Sequence, residues 1–302
     1  QLLSNTSQVI VLPIVVPGNI VDDQFLCYDS LADPIYMNTI SYGGDNTFSY
    51  QWEHSTNGIS WSEVLGADTT IYAPGFMNLS TLYRLKVAST YNTNCIDRYS
   101  NIVDIHVYDP LASGIISSTQ DICFSTQPDS LSFIVLPSGA DGNYTYTWQE
   151  SSDNQQWLSI PLTDNSVYQP PVLDSTRYYR TLVTSDFGCG TVETASLMIN
   201  VYDEFVTGSI NVTDTICYNT DANIINTITP PSGGHTPYSY EWSYSTDSVS
   251  WTNIPSNNIS SYNPSLLTDT TYFRVNYISN SGCGQLLSNT SQVIVLPIVV
   301  PG

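Results

Sequence analysis

Six cysteines are the residues of this chain whose type and spacing most clearly allow chemistry, because thiols form disulfides, bind metals and act as nucleophiles. They form two sets of three that recur at nearly constant intervals: Cys27, Cys123 and Cys217, and Cys95, Cys189 and Cys283. No Cys-x-x-Cys pair and no cluster of histidines accompanies them. The spacing therefore favours disulfides over zinc.

Other catalytic patterns are missing from the sequence. His54, His106 and His235 stand at non-equivalent places, and there is no Gly-x-Ser-x-Gly elbow, phosphate-binding glycine loop or HExxH motif. The scattered carboxylates do not form a recognisable glycosidase pair. We therefore expect no catalytic residues and no enzyme activity.

Composition limits the function classes further. The 302 residues carry 27 Asp and Glu against 6 Lys and Arg, a net charge of −21, which disfavours nucleic-acid binding. The 41% of hydrophobic residues suffices for folded cores. The apolar run Val9–Val16 is short and contains Pro13, so we expect no membrane span. Six cysteines and few lysines favour an oxidising, extracellular location, with any export signal outside this stretch.

The sequence repeats internally when it is aligned on tryptophan. In each repeat the first Trp follows a cysteine of the first set by 25 residues, a second Trp follows nine later, and an Arg comes 23 after that. The motif occupies Phe48–Trp61, Tyr144–Trp157 and Tyr238–Trp251. Three related domains are therefore predicted.

The two ends of the sequence are identical: Gln1–Gly18 recurs as Gln285–Gly302, with a period of 284 residues. We interpret residues 1–17 as the final strand of a preceding repeat. Domains are then predicted at residues 18–113, 114–207 and 208–302. The chain thus contains one three-domain super-repeat and the last strand of the super-repeat before it.

Each repeat has the pattern of a β domain. Residues 101–109 alternate Val103, Ile105 and Val107 with polar side chains, which is typical of a half-buried strand. Turn-forming clusters recur about every ten residues, and the stretch between the paired tryptophans predicts a hairpin. About seven strands per repeat indicate an immunoglobulin-like sandwich. The predicted fold class is all-β: tandem immunoglobulin-like β-sandwiches in a linear, rod-like array.

A family resemblance is carried by a series of motifs. Repeat two contains Tyr-x-Trp-Gln-x-Ser-x-Asp with a second Trp at 157, then Ile160-Pro161, Tyr168-x-Pro170, Leu173-x-x-Thr176-x-Tyr178-Tyr179-Arg180 and Gly-Cys189-Gly. The series resembles the Ig-like repeats of very large Bacteroidota surface proteins, which include gliding-motility adhesins exported by the type IX secretion system. Repeat one departs from it at Val64-Leu65 and Leu82. The resemblance implies surface display and no particular ligand.

The conserved spacing of the aromatic and basic residues favours structural roles. We predict that Trp52, Trp148 and Trp242 lie in the cores, with sugar stacking as the alternative. Core burial is also favoured for Trp61, Trp157 and Trp251. Each repeated arginine is expected to pair with a carboxylate or lie along an aromatic ring, with an anionic ligand as the alternative: Arg84, Arg180 and Arg274.

The expected topology predicts how the cysteines pair. The first set lies at the A–B corner and the second in the F–G hairpin, which are opposite poles about 25 Å apart. Disulfides tolerate Cα separations of at most about 7 Å. Pairing between consecutive domains is therefore predicted as Cys27–Cys189 and Cys123–Cys283, with Cys95 and Cys217 bonded to neighbouring repeats. Bridges within single domains remain the alternative.

Two kinds of modification or ligand are considered at the surface. Asp109, Asp203 and Glu204 could bind calcium at the domain junctions, although solvated acidic edges are favoured and no cofactor is expected. An Asp-(Ser/Thr) pattern resembling the Bacteroidota O-glycosylation acceptor predicts a glycoprotein modified at Ser30, Thr69, Ser130, Ser175, Thr215, Ser248 and Thr270.

Three hypotheses for function follow. The favoured one is a stalk or filament segment of a giant cell-surface adhesin or extracellular fibre, stiffened by disulfides between domains. The second is an Ig-like module that binds glycans or protein. The third is a subunit of a polymer assembled by strand donation. The expected partners are adjacent repeats of the same chain or like subunits, surface glycans, or the secretion and motility machinery.

Overall fold

A computed structural model describes residues 5–91 and 96–298. These residues form strands and turns and contain no helix. The chain divides into two compact units. The first comprises residues 1–114, 136–145 and 183–193, which are the first sandwich and two segments of the second. The second unit comprises residues 115–135, 146–182 and 194–302, which are the rest of the second sandwich and the third.

The first sandwich has a three-stranded sheet in the order β1-β4-β7 and a larger sheet in the order β2-β11-β9-β5-β6, with β10 on β9 and a β3-β8 pair beside them. Its strands are β1 Asn19–Ile20, β2 Gln24–Leu26, β3 Ser30–Leu31, β4 Ile35–Thr39, β5 Phe48–Ser55, β6 Ser62–Glu63, β7 Ile71–Tyr72, β8 Phe76–Met77, β9 Thr81–Ser89, β10 Arg98–Tyr99 and β11 Val103–Val107.

The second sandwich repeats this plan with sheets in the orders β12-β14-β17 and β13-β20-β18-β15-β16, and β19 on β18. Its strands are β12 Ile115–Ile116, β13 Gln120–Ile122, β14 Leu131–Val135, β15 Tyr144–Ser151, β16 Leu158–Ser159, β17 Val167–Tyr168, β18 Arg177–Ser185, β19 Thr191–Glu193 and β20 Leu197–Val201.

The third sandwich has sheets in the orders β21-β23-β26 and β22-β29-β27-β24-β25, with β28 on β27. Its strands are β21 Ser209–Ile210, β22 Thr213–Cys217, β23 Ile225–Thr229, β24 His235–Ser245, β25 Thr252–Asn253, β26 Ser261–Tyr262, β27 Thr271–Asn280, β28 Gln285–Leu287 and β29 Ser291–Leu296. The all-β sandwich architecture predicted from the sequence is confirmed, while the domain limits and the rod-like arrangement stay predictions.

The first strand of each sandwich changes sheets halfway. In the first sandwich β1 pairs with β4 in the small sheet, and β2 then runs parallel to the last strand, β11, in the large sheet. The same parallel pairing joins β13 to β20 and β22 to β29. This switch brings the first cysteine of each repeat to the end of the last strand.

Strict alternation explains how the sheets build their cores. Along β9 every second residue is buried, including Tyr83, Leu85 and Val87, and the residues between them face outwards. Because successive strand side chains point to opposite faces, an alternating sequence buries one face and leaves the other in solvent. The arginine of each repeat falls on the outward set.

One tryptophan anchors each core. Trp52, Trp148 and Trp242 are fully buried, and each indole N–H donates to a backbone carbonyl 17 residues further on, at 2.9–3.0 Å. A tyrosine ring packs 5.7–6.0 Å away in every case. A buried indole needs such a partner for its N–H. Truncation of one of them to Ala is expected to cost about 3–5 kcal/mol.

Candidate functional site

Two disulfides join consecutive sandwiches. Cys27 bonds to Cys189 with a Cα separation of 5.3 Å, and Cys123 bonds to Cys283 with a separation of 5.2 Å. These are the two pairs that the spacing and topology predict. In each pair one cysteine follows the parallel first strand and its partner lies in the F–G loop of the next sandwich. We call the two connections seam 1, around residues 109–114, and seam 2, around residues 203–208.

The backbone holds each seam with the same hydrogen bonds. At seam 1 the N–H of Ala140 donates to the carbonyl of Asp109 at 2.8 Å, and Ala112 pairs with Ser138. At seam 2 the N–H of Gly234 donates to the carbonyl of Asp203 at 2.8 Å, and Val206 pairs with Ser232. The connecting segment is thus bonded to the following sandwich and does not act as a free tether.

A glycine marks the closest backbone approach at each seam. Gly139 and Gly233 have positive φ angles of 82° and 69°. A Cβ added to either would overlap the carbonyl oxygen of Pro110 or of Glu204, respectively. Only glycine fits both the left-handed backbone and the close contact. The cysteine and tryptophan spacing did not reveal this position, although a glycine nine residues before each core tryptophan is visible in the sequence.

Side chains distinguish the two seams. At seam 1 the ring of Tyr108 meets Phe187 edge-on at 5.1 Å, two residues before the bonded Cys189. At seam 2 the ring of Tyr202 lies 4.7 Å from that of His235, and His235 Nδ1 lies 3.1 Å from the hydroxyl of Ser281. The backbone and the disulfide are shared, and the aromatic packing differs.

The N-terminal segment makes the same seam contacts with the first sandwich. Val16 and Tyr42 exchange two backbone hydrogen bonds of 2.8 and 3.0 Å, and Gly44 donates to the carbonyl of Pro13. A Cβ on Gly43 would overlap the carbonyl of Ile14, and Val15 belongs to the core. Residues 13–18 therefore form a third seam, which we call the N-terminal seam.

The residues before the N-terminal seam are exposed, whereas their copy is paired. Val9 and Val11 are 85% and 88% exposed. The identical residues at the other end form β29, which pairs with β22 and β27 and buries Val293 completely. The same sequence is thus a core strand in one place and an unpaired segment in the other.

Of the two remaining cysteines, the structure describes only Cys217. Cys217 is exposed and forms no disulfide within the part of the chain that the structure describes, and Cys95 lies outside the described residues. In residues 5–91 and 96–298 no group of three or more His, Cys, Asp or Glu side chains is placed to hold a metal ion. Asp109 and Asp203 accept seam hydrogen bonds through their backbone carbonyls.

Stacks of arginine on tryptophan occupy the outer face of each large sheet. The guanidinium carbon lies 4.0–4.4 Å from the ring centroid of the second tryptophan in all three repeats. These tryptophans are half-buried, so the core interpretation was wrong for Trp61, Trp157 and Trp251. Each repeated arginine was expected to pair with a carboxylate or to lie along an aromatic ring, and the stacking confirms this prediction.

The partner of the arginine changes from repeat to repeat. Arg84 is also stacked on Tyr99 at 3.8 Å and forms an ion pair with Glu53 at 2.6 Å. Arg180 donates to the amide oxygen of Gln149 at 2.8 Å. In the third sandwich the equivalent position is Ser243, whose hydroxyl is 3.3 Å from Arg274 Nε. The side chain that faces the arginine is thus a carboxylate in the first repeat, an amide in the second and a hydroxyl in the third.

The predicted glycosylation acceptors lie at the surface or near it. Thr69, Ser130, Ser175, Thr215 and Ser248 are exposed. Ser30 and Thr270 are half-buried, and the Thr270 hydroxyl accepts a hydrogen bond from the Val295 N–H. Occupancy of these sites stays a prediction.

Comparison with known families identifies the repeats. A family model described as "Domain of unknown function (DUF8696)" matches three times, at residues 16–109, 112–203 and 206–297. The chain belongs to this family. Each family match contains one core tryptophan, one arginine stack and one cysteine of the first set. Each match also begins at or next to a seam.

Three solved structures resemble the chain at low sequence identity. Domains A168–A170 of titin share 14% identity and cover 93% of this chain and 97% of theirs, with a TM-score of 0.43. Drosophila OTK extracellular domains 3–5 share 11%, with 94% and 97% coverage and a TM-score of 0.36. Sidekick-1 immunoglobulin domains 1–5 share 11%, with 96% and 60% coverage and a TM-score of 0.33.

A comparison with curated proteins finds no match. Within the described residues, no helix is long and apolar enough to cross a membrane.

Proposed function

We propose that the chain is a stalk segment of a longer extracellular array, in which each sandwich is bonded to the next through one disulfide and one backbone seam. The observation that carries the proposal is the equivalence of the three seams. Residues 13–18 bind the first sandwich as residues 109–114 and 203–208 bind the second and third. The seam is thus a repeated device for joining sandwiches.

The sequence identity extends this device beyond the third sandwich. Pro297–Gly302 is the same sequence as Pro13–Gly18, which forms the N-terminal seam. A copy of the first sandwich that follows Gly302 would therefore contact the same sequence that the first sandwich contacts at the N-terminal seam. The array is therefore proposed to continue with identical super-repeats on both sides.

Cys217 supplies the covalent part of that continuation. It occupies the place at which Cys27 and Cys123 are bonded, and it is exposed. By the same rule its partner is the F–G cysteine of a following first-type repeat, which is Cys95 of that repeat. In such an array a disulfide joins the two consecutive sandwiches at every junction.

The proposed mechanical role follows from the two kinds of bond at each seam. The chain itself enters the next sandwich on one side, and the disulfide ties a second pair of loops together. Two links restrict bending more than one does, and a disulfide limits separation when a sandwich is pulled open. Disulfides of this kind are typical of proteins outside the reducing cytosol.

The finer placement rests on sequence resemblance. Motifs shared with Ig-like repeats of giant Bacteroidota surface proteins support a cell-surface adhesin or extracellular fibre exported by the type IX system. The exposed Asp-(Ser/Thr) sites support glycosylation of such a stalk. A rod-like form of the array belongs to the same proposal and is measurable by small-angle scattering.

A doubled chain tests the proposal directly. Residues 19–302 are appended after Gly302, and the purified protein is digested without reduction. We expect a peptide that links Cys217 of the first copy to Cys95 of the second, and Cys217→Ala should remove it. Absence of this linked peptide, with Cys217 alkylated in both copies and both copies folded, would contradict the proposal.

A second candidate is strand donation, which the exposed residues 5–11 favour. Their copy is a core strand, so this segment could complete the sandwich of another molecule. Light scattering of the 302-residue chain, compared with a variant lacking residues 1–12, separates the candidates. Donation predicts oligomers that the deletion abolishes, whereas the continuous array predicts monomers in both samples.

A further inference from the structure

The outer face of the third sandwich contains a cavity beside an arginine stack. Its volume is about 490 Å³, and it is lined by polar residues and two leucines: Glu241, Ser243, Asn253, Arg274, Asn276, Gln285, Leu286 and Leu287. All of these residues belong to strands of the large sheet or to their ends. Gln285 and Leu286 also line the depression around the Cys123–Cys283 disulfide, whereas Glu241, Arg274 and Asn276 take no part in the hydrogen bonds or the disulfide of seam 2.

Arg274 differs from Arg84 because it has no anionic partner among the described residues. Arg84 is neutralised by Glu53 and covered on its second face by Tyr99. Within the described residues no carboxylate lies within ion-pair distance of Arg274, and its only hydrogen bond is the 3.3 Å contact between Nε and Ser243. The terminal amino groups of its guanidinium therefore keep free donors at the cavity.

The guanidinium is also held in place. Its carbon lies 4.0 Å from the centroid of Trp251, and the side chain is half-buried. Stacking fixes the plane of the group, so little rotational freedom is lost when an acceptor binds. A fixed, unpaired guanidinium is suited to bidentate binding of a planar carboxylate.

The other lining groups are suited to hydroxyls. Asn276 donates to Glu241 at 3.4 Å and to Gln285 at 3.2 Å, which are long contacts that leave acceptor and donor positions open. Amide and carboxylate side chains of this kind bind vicinal hydroxyl groups. Leu286 and Leu287 are 39% and 47% exposed and offer an apolar surface for one face of a ring.

We propose that this cavity binds a saccharide through a single carboxylate-bearing sugar, with the carboxylate on Arg274, hydroxyls on Glu241, Asn253 and Gln285, and the ring against Leu286 and Leu287. The net charge of −21 and the nearby Glu241 disfavour polyanions such as sulfated polymers. A sugar with one carboxylate and several hydroxyls matches a cavity that has one cation beside the polar side chains of Glu241, Asn253 and Gln285.

The test uses methyl glucuronide and methyl glucoside, which differ at one carboxylate, titrated into the whole chain and followed by amide chemical shifts. We expect saturable shifts around Arg274 and at least tenfold tighter binding of the glucuronide, since charge-assisted hydrogen bonds supply the difference. Equal binding of the two sugars, or no binding, overturns the proposal.

Two variants and a control localise the effect. Arg274→Gln should weaken glucuronide binding at least tenfold. Ser243→Glu should weaken it similarly, because it rebuilds the Glu53–Arg84 ion pair and occupies the guanidinium internally. Arg180→Gln in the second sandwich should leave binding unchanged. Unaltered binding by Arg274→Gln, in protein whose far-ultraviolet dichroism is that of the parent chain, contradicts the assignment, and the disulfide test of the stalk proposal is independent of this result.

Discussion

Seam 1 and seam 2 share their backbone and their disulfide but differ in the side chains between them. Both carry a glycine against a carbonyl, three backbone hydrogen bonds into the next sandwich and one disulfide. Seam 1 then packs Tyr108 on Phe187, and seam 2 packs Tyr202 on His235. The backbone contacts and the disulfide are therefore the features common to both junctions, whereas the aromatic contacts are specific to each seam.

Among changes at the seams, loss of the disulfides should have the largest effect, and it should be similar at seam 1 and seam 2. The variants Cys27→Ala/Cys189→Ala and Cys123→Ala/Cys283→Ala open links across 162 and 160 residues. Each should lower the free energy of unfolding by about 2–4 kcal/mol, measured by denaturant titration without reductant. A loss at only one seam would show that the two links are not equivalent.

The glycine substitutions come next in size. Gly139→Ala combines a positive φ with overlap on the Pro110 carbonyl, and should cost about 2–3 kcal/mol. Gly142 has a similar φ of 80° and open space around it, so Gly142→Ala is the matched control and should cost about 1 kcal/mol. Equal costs for the two variants would show that the close approach of Gly139 to the Pro110 carbonyl does not contribute to the loss of stability.

The aromatic contact of seam 1 should matter less. Phe187→Ala removes the edge-on contact with Tyr108 and should cost about 1 kcal/mol, because Phe187 is still 46% exposed. Leu158→Ala, at a side chain 71% exposed and outside the seams, should change stability by less than about 0.5 kcal/mol. If Phe187→Ala cost as much as the disulfide variants, the aromatic contact would stabilise seam 1 as strongly as the disulfide does.

The smallest effect is expected at a tyrosine hydroxyl of seam 2. Tyr238 donates to the carbonyl of Gly233 at 2.7 Å, and because this hydrogen bond is only partly buried, Tyr238→Phe should cost about 0.5 kcal/mol. Phe48 stands at the equivalent place beside the N-terminal seam, so the hydroxyl is dispensable for folding. Thermal denaturation of the variant measures the cost, and a loss of cooperative unfolding would show that the hydroxyl has a larger role than this.

Much of the fold follows from periodicity alone. Alternation along the strands and the constant distance from Cys27, Cys123 and Cys217 to the core tryptophans predict three sandwiches. The cysteine pairing could be derived because opposite poles of one sandwich are too far apart for a disulfide. These inferences depend on strand length and direction, which the sequence pattern determines.

The outer face of the sheets was harder to predict. Trp61, Trp157 and Trp251 follow a hairpin turn, and the number of residues in a turn decides which face the next side chain joins. Their stacking on arginine became visible only in three dimensions. The glycine contacts were missed for a related reason, since a close approach between backbones leaves no pattern of side-chain types beyond the glycine itself.

Disulfide mapping of the intact, unreduced chain tests the central claim most directly. Proteolysis followed by mass spectrometry should recover Cys27 linked to Cys189 and Cys123 linked to Cys283, with each linkage lost on reduction. Recovery of Cys27 linked to Cys95, or of Cys123 linked to Cys189, would place the bridges within single sandwiches and contradict the account.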